Sequence, residues 1–285
     1  MAFVGSLSGL VRGRRQPDLI GRSVRLGSRS LGWASVLRAW QTPPMKRWWV
    51  LGVLGLVIVV AAVVGFVFLR NTTTPLTAAD LGFTGTVGDA PGDPGIYVYE
   101  TMGFEEVDAL GGGRHDYPER TYLVIDDGDC GPVVRWQAIA ERWDEWQFCG
   151  PDLSITRATL YHEWFHIPDR QMASCTGSTF PPAGETTWTT VCSDGKWTST
   201  DVATVVGMES LVIGATSVET IHIKISSTTT GSTVGSTAID EWRLAGTPLV
   251  VRKVVNDASA NASRIGDIHY VEQVTLQLES LLPTG

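Results

Sequence analysis

The chain has 285 residues, four Cys, eleven Trp and a formal net charge of −8, a length that fits one or two domains. Residues 1–69 hold nine Lys and Arg against Asp18 alone, a charge of +8, while residues 70–285 hold thirteen against 29 Asp and Glu, a charge of −16. The acidic part excludes a DNA-binding body, which should be basic, and the aliphatic content excludes a disordered chain.

The chain begins with a basic arm, residues 1–47, that carries Arg12, Arg14, Arg15, Arg22, Arg25, Arg29 and Arg38. Residues 1–44 are rich in Gly, Ser and Arg and follow no helical or strand period. Met45-Lys46-Arg47 would make an ordinary short start, so residues 1–44 are suspected to precede the true translation start. If the arm is real, it either lies on anionic headgroups or is a solvated tail that sets topology.

Trp48 to Leu69 is 22 residues without a charge. At the helical rise it reaches roughly 33 Å, enough for a bilayer core. Lys46 and Arg47 precede it, and Trp48-Trp49 sit where interfacial aromatics belong. The expectation is one transmembrane helix, N-terminus cytoplasmic, with residues 70–285 extracytoplasmic. A cleaved signal peptide is the rival, but the preceding stretch is too long and no Ala-x-Ala site follows closely. Ala61-x-x-x-Gly65 has the small-xxx-small spacing of paired membrane helices.

Residues 70–94, rich in Thr, Gly, Ala, Asp and Pro, read as a linker leaving the membrane. From Gly95 onward period-2 patterns dominate, and residues 95–285 read as one β-rich domain. Ile96–Tyr99, Tyr122–Ile125, Ile221–Ile225 and Leu249–Val255 are strand-like. In the last stretch Ile268, Tyr270, Val274, Leu276 and Leu278 share one face, with Glu272 as the polar exception on it. Asp127-Gly128, Asp194-Gly195, Gly231-Ser232, Gly246-Thr247-Pro248 and the Asn256–Gly266 stretch read as turns or loops. Val133–Phe148 fits both helical and strand spacing. About ten strands at this spacing imply a curved antiparallel sheet or half-barrel.

Four Cys in an exported domain suggest two disulfides. Cys175 and Cys192 are centred on the turn-like Pro181-Pro182-Ala183-Gly184. Cys130 and Cys149 are centred on Ile139-Ala140, poor turn chemistry, so that pair would staple a hairpin, a loop or a helix. The preferred pairing is Cys130–Cys149 and Cys175–Cys192. No C-x₂-C spacing points to zinc.

His162-Glu163-Trp164-Phe165-His166 matches the H-E-x-x-H pattern of zinc hydrolases. That chemistry needs a helix and a third ligand. The flanks are β-branched and aromatic, and Pro168 follows at once. On a strand the two His would lie roughly 13 Å apart, too far for one metal. The expectation is a strand end with exposed His, no catalytic residue and no metal. Asp126-Asp127-Gly128-Asp129 lacks the spacing of a calcium loop and reads as a hairpin tip. No cofactor fingerprint is present. Asn71-Thr-Thr and Asn261-Ala-Ser match the glycosylation pattern. The domain's many aromatics either fill a core or line an apolar cavity, in which Glu272 would be a polar anchor.

Gly266–Pro283, Tyr97–Thr101, His115–Pro118 and Arg142–Trp146 resemble uncharacterised membrane-anchored or secreted proteins of actinobacteria, over most of residues 95–283. The run of hairpins is similar to the lipoprotein-carrier (LolA/LppX-like) half-barrels. That resemblance implies a curved sheet holding an acyl chain. This chain departs from it by having a membrane helix, and an anchored protein cannot shuttle alone. The sequence therefore points to a non-enzymatic, membrane-anchored domain binding a lipid or amphiphile as carrier or sensor. The alternatives are a structural or protein-interaction module of the envelope and, last, a zinc hydrolase.

Overall fold

Strand formation here follows from alternation. In Gly95–Val107 the odd residues Tyr97, Tyr99, Thr101, Glu105 and Val107 are buried, and in Gly266–Leu278 the even residues from Ile268 onward are. Each strand thus has one face for an interior and one for solvent. The computed structural model describes residues 45–68, 71–263 and 266–285, with no account of the side chains of 45–48, 61, 63, 64 and 66–68. These residues fall into two units, a helix and a β-domain.

The helix, α1, runs Met45–Phe68. Among the described residues no helix is long and apolar enough to cross a membrane. Part of the expected span Trp48–Leu69, and the arm 1–44, lie outside the described residues.

The β-domain has thirteen strands. They are β1 Gly95–Val107, β2 Gly113–Asp116, β3 Arg120–Asp127, β4 Pro132–Ile139, β5 Arg142–Cys149, β6 Ser154–Trp164 and β7 Ile167–Thr176. β8 Thr187–Ser193, β9 Trp197–Ile213, β10 Thr216–Gly231, β11 Thr233–Leu244, β12 Val250–Ser263 and β13 Gly266–Leu278 follow. From β3 onward each strand pairs antiparallel with the next, and β13 returns to pair with β1. β2 and β3 both pair with β1, the former along its second half and the latter along its first, so twelve strands complete the ring. The half-barrel expectation is therefore corrected to a closed barrel. Closure removes the two open edges that a half-barrel would expose. At the seam Gly103 is required by close approach: a Cβ there would sit 2.2 Å from the backbone oxygen of Gln273.

The outer face mixes exposed charged residues such as Glu100, Glu106, Arg170 and Lys224 with exposed apolar ones such as Met102, Val206 and Val234. Residues 71–94 are not a free tether. Leu76, Ala78, Leu81 and Phe83 pack outside the barrel on Ile96, Tyr122 and Val124. The Thr74 amide and hydroxyl bond the Glu141 carboxylate in the β4–β5 turn. Two other expectations change. Val133–Phe148 is the β4–β5 hairpin, bulged between Gln137 and Ile139. Asn256–Ser263, read as a loop, continues β12.

Candidate functional site

The interior holds a cavity of about 350 Å³. Trp136, Trp146, Phe148, Ile155, Leu160, Val274 and Leu276 supply apolar wall, and Ser and Thr residues of β8–β12 supply polar wall. Inward residues in register form a continuous polar row around it. Glu105 on β1 faces Glu272 on β13, which faces Asp257 on β12, which faces Thr237 on β11. The row continues through Ser227 on β10 to Asp201 on β9.

Like charges directly opposite are unfavourable, so each carboxylate needs compensation. Glu105 is fully buried and accepts bonds from three rings: His115 Nδ1 at 2.7 Å, His162 Nδ1 at 2.9 Å and the Tyr270 hydroxyl at 3.0 Å. Burial pushes its carboxyl up, but the attraction of His162, the imidazole hydrogen bonds and Arg142 outweigh this and hold it at about 2. Glu272 accepts a 2.5 Å bond from the Tyr117 hydroxyl and a 3.2 Å bond from Arg142. Arg142 also clasps Asp144 with both terminal nitrogens, and its Nε lies 3.5 Å from Glu105. Burial works against the guanidinium charge, yet Asp144 and Glu272 keep it firmly cationic. Burial likewise drives the Tyr117 and Tyr270 hydroxyls up, with Glu272 adding to the rise. They therefore act as neutral donors.

A second cluster lies on β11 and β12. Glu241 is paired with Arg243 at 2.5 Å and with Lys253 at 3.1 Å. Burial raises its carboxyl, and the two cations overcome this and hold it at about 2. Asp257 differs. Its one hydrogen bond comes from Thr237 Oγ1 at 2.9 Å. Burial pushes its carboxyl up to about 6; the Thr237 bond, Arg142 and His162 pull it down, and Glu272 pushes it up.

The residues singled out from sequence are distributed as follows. Cys130 is joined to Cys149 and Cys175 to Cys192. Cys175 and Cys192 are directly opposed in the β7–β8 hairpin, and Cys149 ends a strand whose partner begins two residues after Cys130. The H-E-x-x-H match lies across the β6–β7 hairpin, not on a helix. His162 points inward and is buried, which corrects the expectation of an exposed His, whereas His166 is exposed in the turn. Phe165 and His166 both have positive φ, 54° and 61°, the pattern of a tight two-residue hairpin turn. Among the described residues no group of three or more His, Cys, Asp or Glu could hold a metal ion. Asp126–Asp129 spans the β3–β4 connection. Asn261 of the second glycosylation pattern is buried and bonded by Thr233, so it is not a surface acceptor. Glu272 faces the cavity, paired as described.

Glu105, His115, Arg142, Asp144 and Asp257 were not singled out as site residues from sequence, although His115 and the Arg142–Trp146 segment carried the resemblance. The signal existed for Glu105, which continues the Tyr97-Tyr99-Thr101 parity, and for Arg142 and Asp144, two apart on one face.

No family model, curated protein or solved structure matches the chain.

Proposed function

We propose that the barrel binds an apolar or amphiphilic small molecule in its interior, without chemistry on it, as a membrane-anchored carrier or sensor outside the cytoplasm. The cavity of about 350 Å³ carries this reading. It lies within the size range of small-molecule sites, and its wall joins an apolar part to a polar one. An envelope scaffold would need a filled interior, because unfilled space forfeits packing. Two disulfides suit an oxidising compartment. The uncharged run Trp48–Leu69 and the charge split support an anchor with the acidic part exported.

The test is binding of the neutral dye N-phenyl-1-naphthylamine to the full chain in lipid nanodiscs, against empty nanodiscs. One saturable site per chain is expected, abolished by Ala158→Phe, which places a ring in the cavity. No saturable binding, or binding unaffected by Ala158→Phe in a folded variant, overturns the reading.

A further inference from the structure

The binding reading leaves open which polar group a ligand carries, and the polar row answers it. The cations that line the cavity are already committed. Arg142 pairs with Asp144 and Glu272, and Arg243 and Lys253 both pair with Glu241. Among the described residues Asp257 and Asp201 have no basic partner. Asp257 takes its bond from Thr237 and Asp201 takes one from Ser199 Oγ at 2.9 Å. Both line the cavity.

One further polar group faces the cavity without a partner. His162 is 8% exposed and lines the cavity. Its Nδ1 is used by Glu105, and its Nε2 has no protein partner among the described residues yet is not sealed off. The unpaired capacity of the cavity thus lies in the carboxylate oxygens of Asp257 and Asp201, which accept. A ligand carboxylate or phosphate would meet a wall with five carboxylates against three Arg and Lys, while a cationic donor would find Asp257 and Asp201 without an ion pair. The wall also includes Trp188 and Trp197, and indole faces attract cations.

We propose that the cavity selects a lipophilic amine, its alkyl body against Phe148, Ile155 and Leu160 and its protonated ammonium paired with Asp257. This rests on the binding reading above and names the head group. A cation at Asp257 supplies the partner that the protein does not. The rise of the Asp257 carboxyl to about 6 is the effect expected of a partly buried acid with no ion pair, opposite Glu272. The groups facing it are Thr237 on β11, Glu272 on β13, Arg142 on β5 and His162 on β6. Protonation of Asp257 removes the charge, so amine binding should weaken below about pH 6.

The experiment is calorimetric titration of the full chain in lipid nanodiscs with n-octylamine, n-octanol and octanoate, with empty nanodiscs as the blank. At about pH 7.5 octylamine should bind once per chain and about tenfold or more tighter than octanoate. Asp257→Asn should remove that advantage, leave octanol within about twofold, and match wild type at about pH 5. Asp201→Asn should leave the order of the three intact. Octanoate binding as tightly as octylamine overturns the proposal, as does an amine preference that survives Asp257→Asn. If Asp257→Asn fails to fold, the wild-type comparison between the two pH values decides: a preference unchanged by acid overturns the proposal. Dye binding without amine preference sinks this inference alone, whereas no binding of dye or of any alkyl probe removes the binding reading with it.

Discussion

Glu105 and Glu272 stand directly opposite each other across the β1–β13 seam, both inward and both buried, with the Arg142 side chain in contact with each. One rung of the ladder that closes the barrel is therefore a pair of like charges, bridged by a guanidinium and bonded besides by His115, His162, Tyr270 and Tyr117. Removing one member of such a buried network leaves uncompensated charge. Arg142→Met should destabilise the domain by about 3 to 5 kcal/mol in urea unfolding followed by Trp fluorescence. Adding Asp144→Asn and Glu272→Gln should recover part of the loss, because these are the carboxylates that Arg142 pairs most closely. A single variant as stable as wild type would show that the seam does not depend on Arg142.

Two of the shifted carboxyls act on stability in opposite directions. Glu105 is held at about 2 in the folded state, below its unfolded value. Its contribution is complete above about pH 5 and is lost as pH falls toward 2. Asp257 is raised to about 6, so the folded state takes its proton first, and stability rises as pH falls from about 7 to 4. That gain is of the order of 3 kcal/mol at most. Thermal melting across this range should show an optimum on the acid side of neutrality, and Asp257→Asn should flatten the slope between about pH 7 and 4.

The β7–β8 bridge closes a loop with a sequence separation of 17. In the chain-entropy model a loop of that length contributes about 3 kcal/mol. Replacing Cys175 and Cys192 together by Ser should lower the unfolding free energy by about that amount under non-reducing conditions. Reduction of wild type opens the Cys130–Cys149 bridge as well and should cost more than the Cys175/Cys192 replacement.

His166 is exposed at φ 61°, a conformation that costs a side-chain-bearing residue about 1 kcal/mol and glycine nothing. His166→Gly should therefore stabilise the hairpin by roughly 0.5 to 1 kcal/mol, read as a higher melting temperature. Loss of stability would mean that the imidazole makes a contact worth more than the backbone relief.

The legible parts of the fold were those where apolar and polar residues alternate. β13 was readable because Ile268, Tyr270, Val274, Leu276 and Leu278 repeat with period two, and Glu272 stood out by breaking that face. β12 was readable only to Val255. Beyond it the inward residues Asp257, Ser259 and Asn261 face the polar part of the interior, so the hydrophobic alternation vanishes where the strand does not. The Ala140-Glu141 and Phe165-His166 turns carry no Gly or Asn. The first is built around a bulge and held by Thr74, and the second is fixed by burying Phe165 beside Trp164 and Ile268. The site was the least visible part. Arg142 and His162 meet across the β5–β6 hairpin, but Glu105 and Asp257 lie far from them in sequence, and only closure brings the four together.

Closure has a consequence for the order of folding. Tyr99 pairs with Leu278, 278 − 99 = 179 positions later. During synthesis from the N-terminus, β1 has no partner on its seam side until nearly the whole chain has emerged. Contacts of such separation make assembly slow, because the loop entropy is lost before the pairing is gained. Until then Glu105 has no Glu272 opposite it. The seam is thus the last contact for which both partners exist, and a chain truncated before β13 would leave β1 as an open template for another molecule.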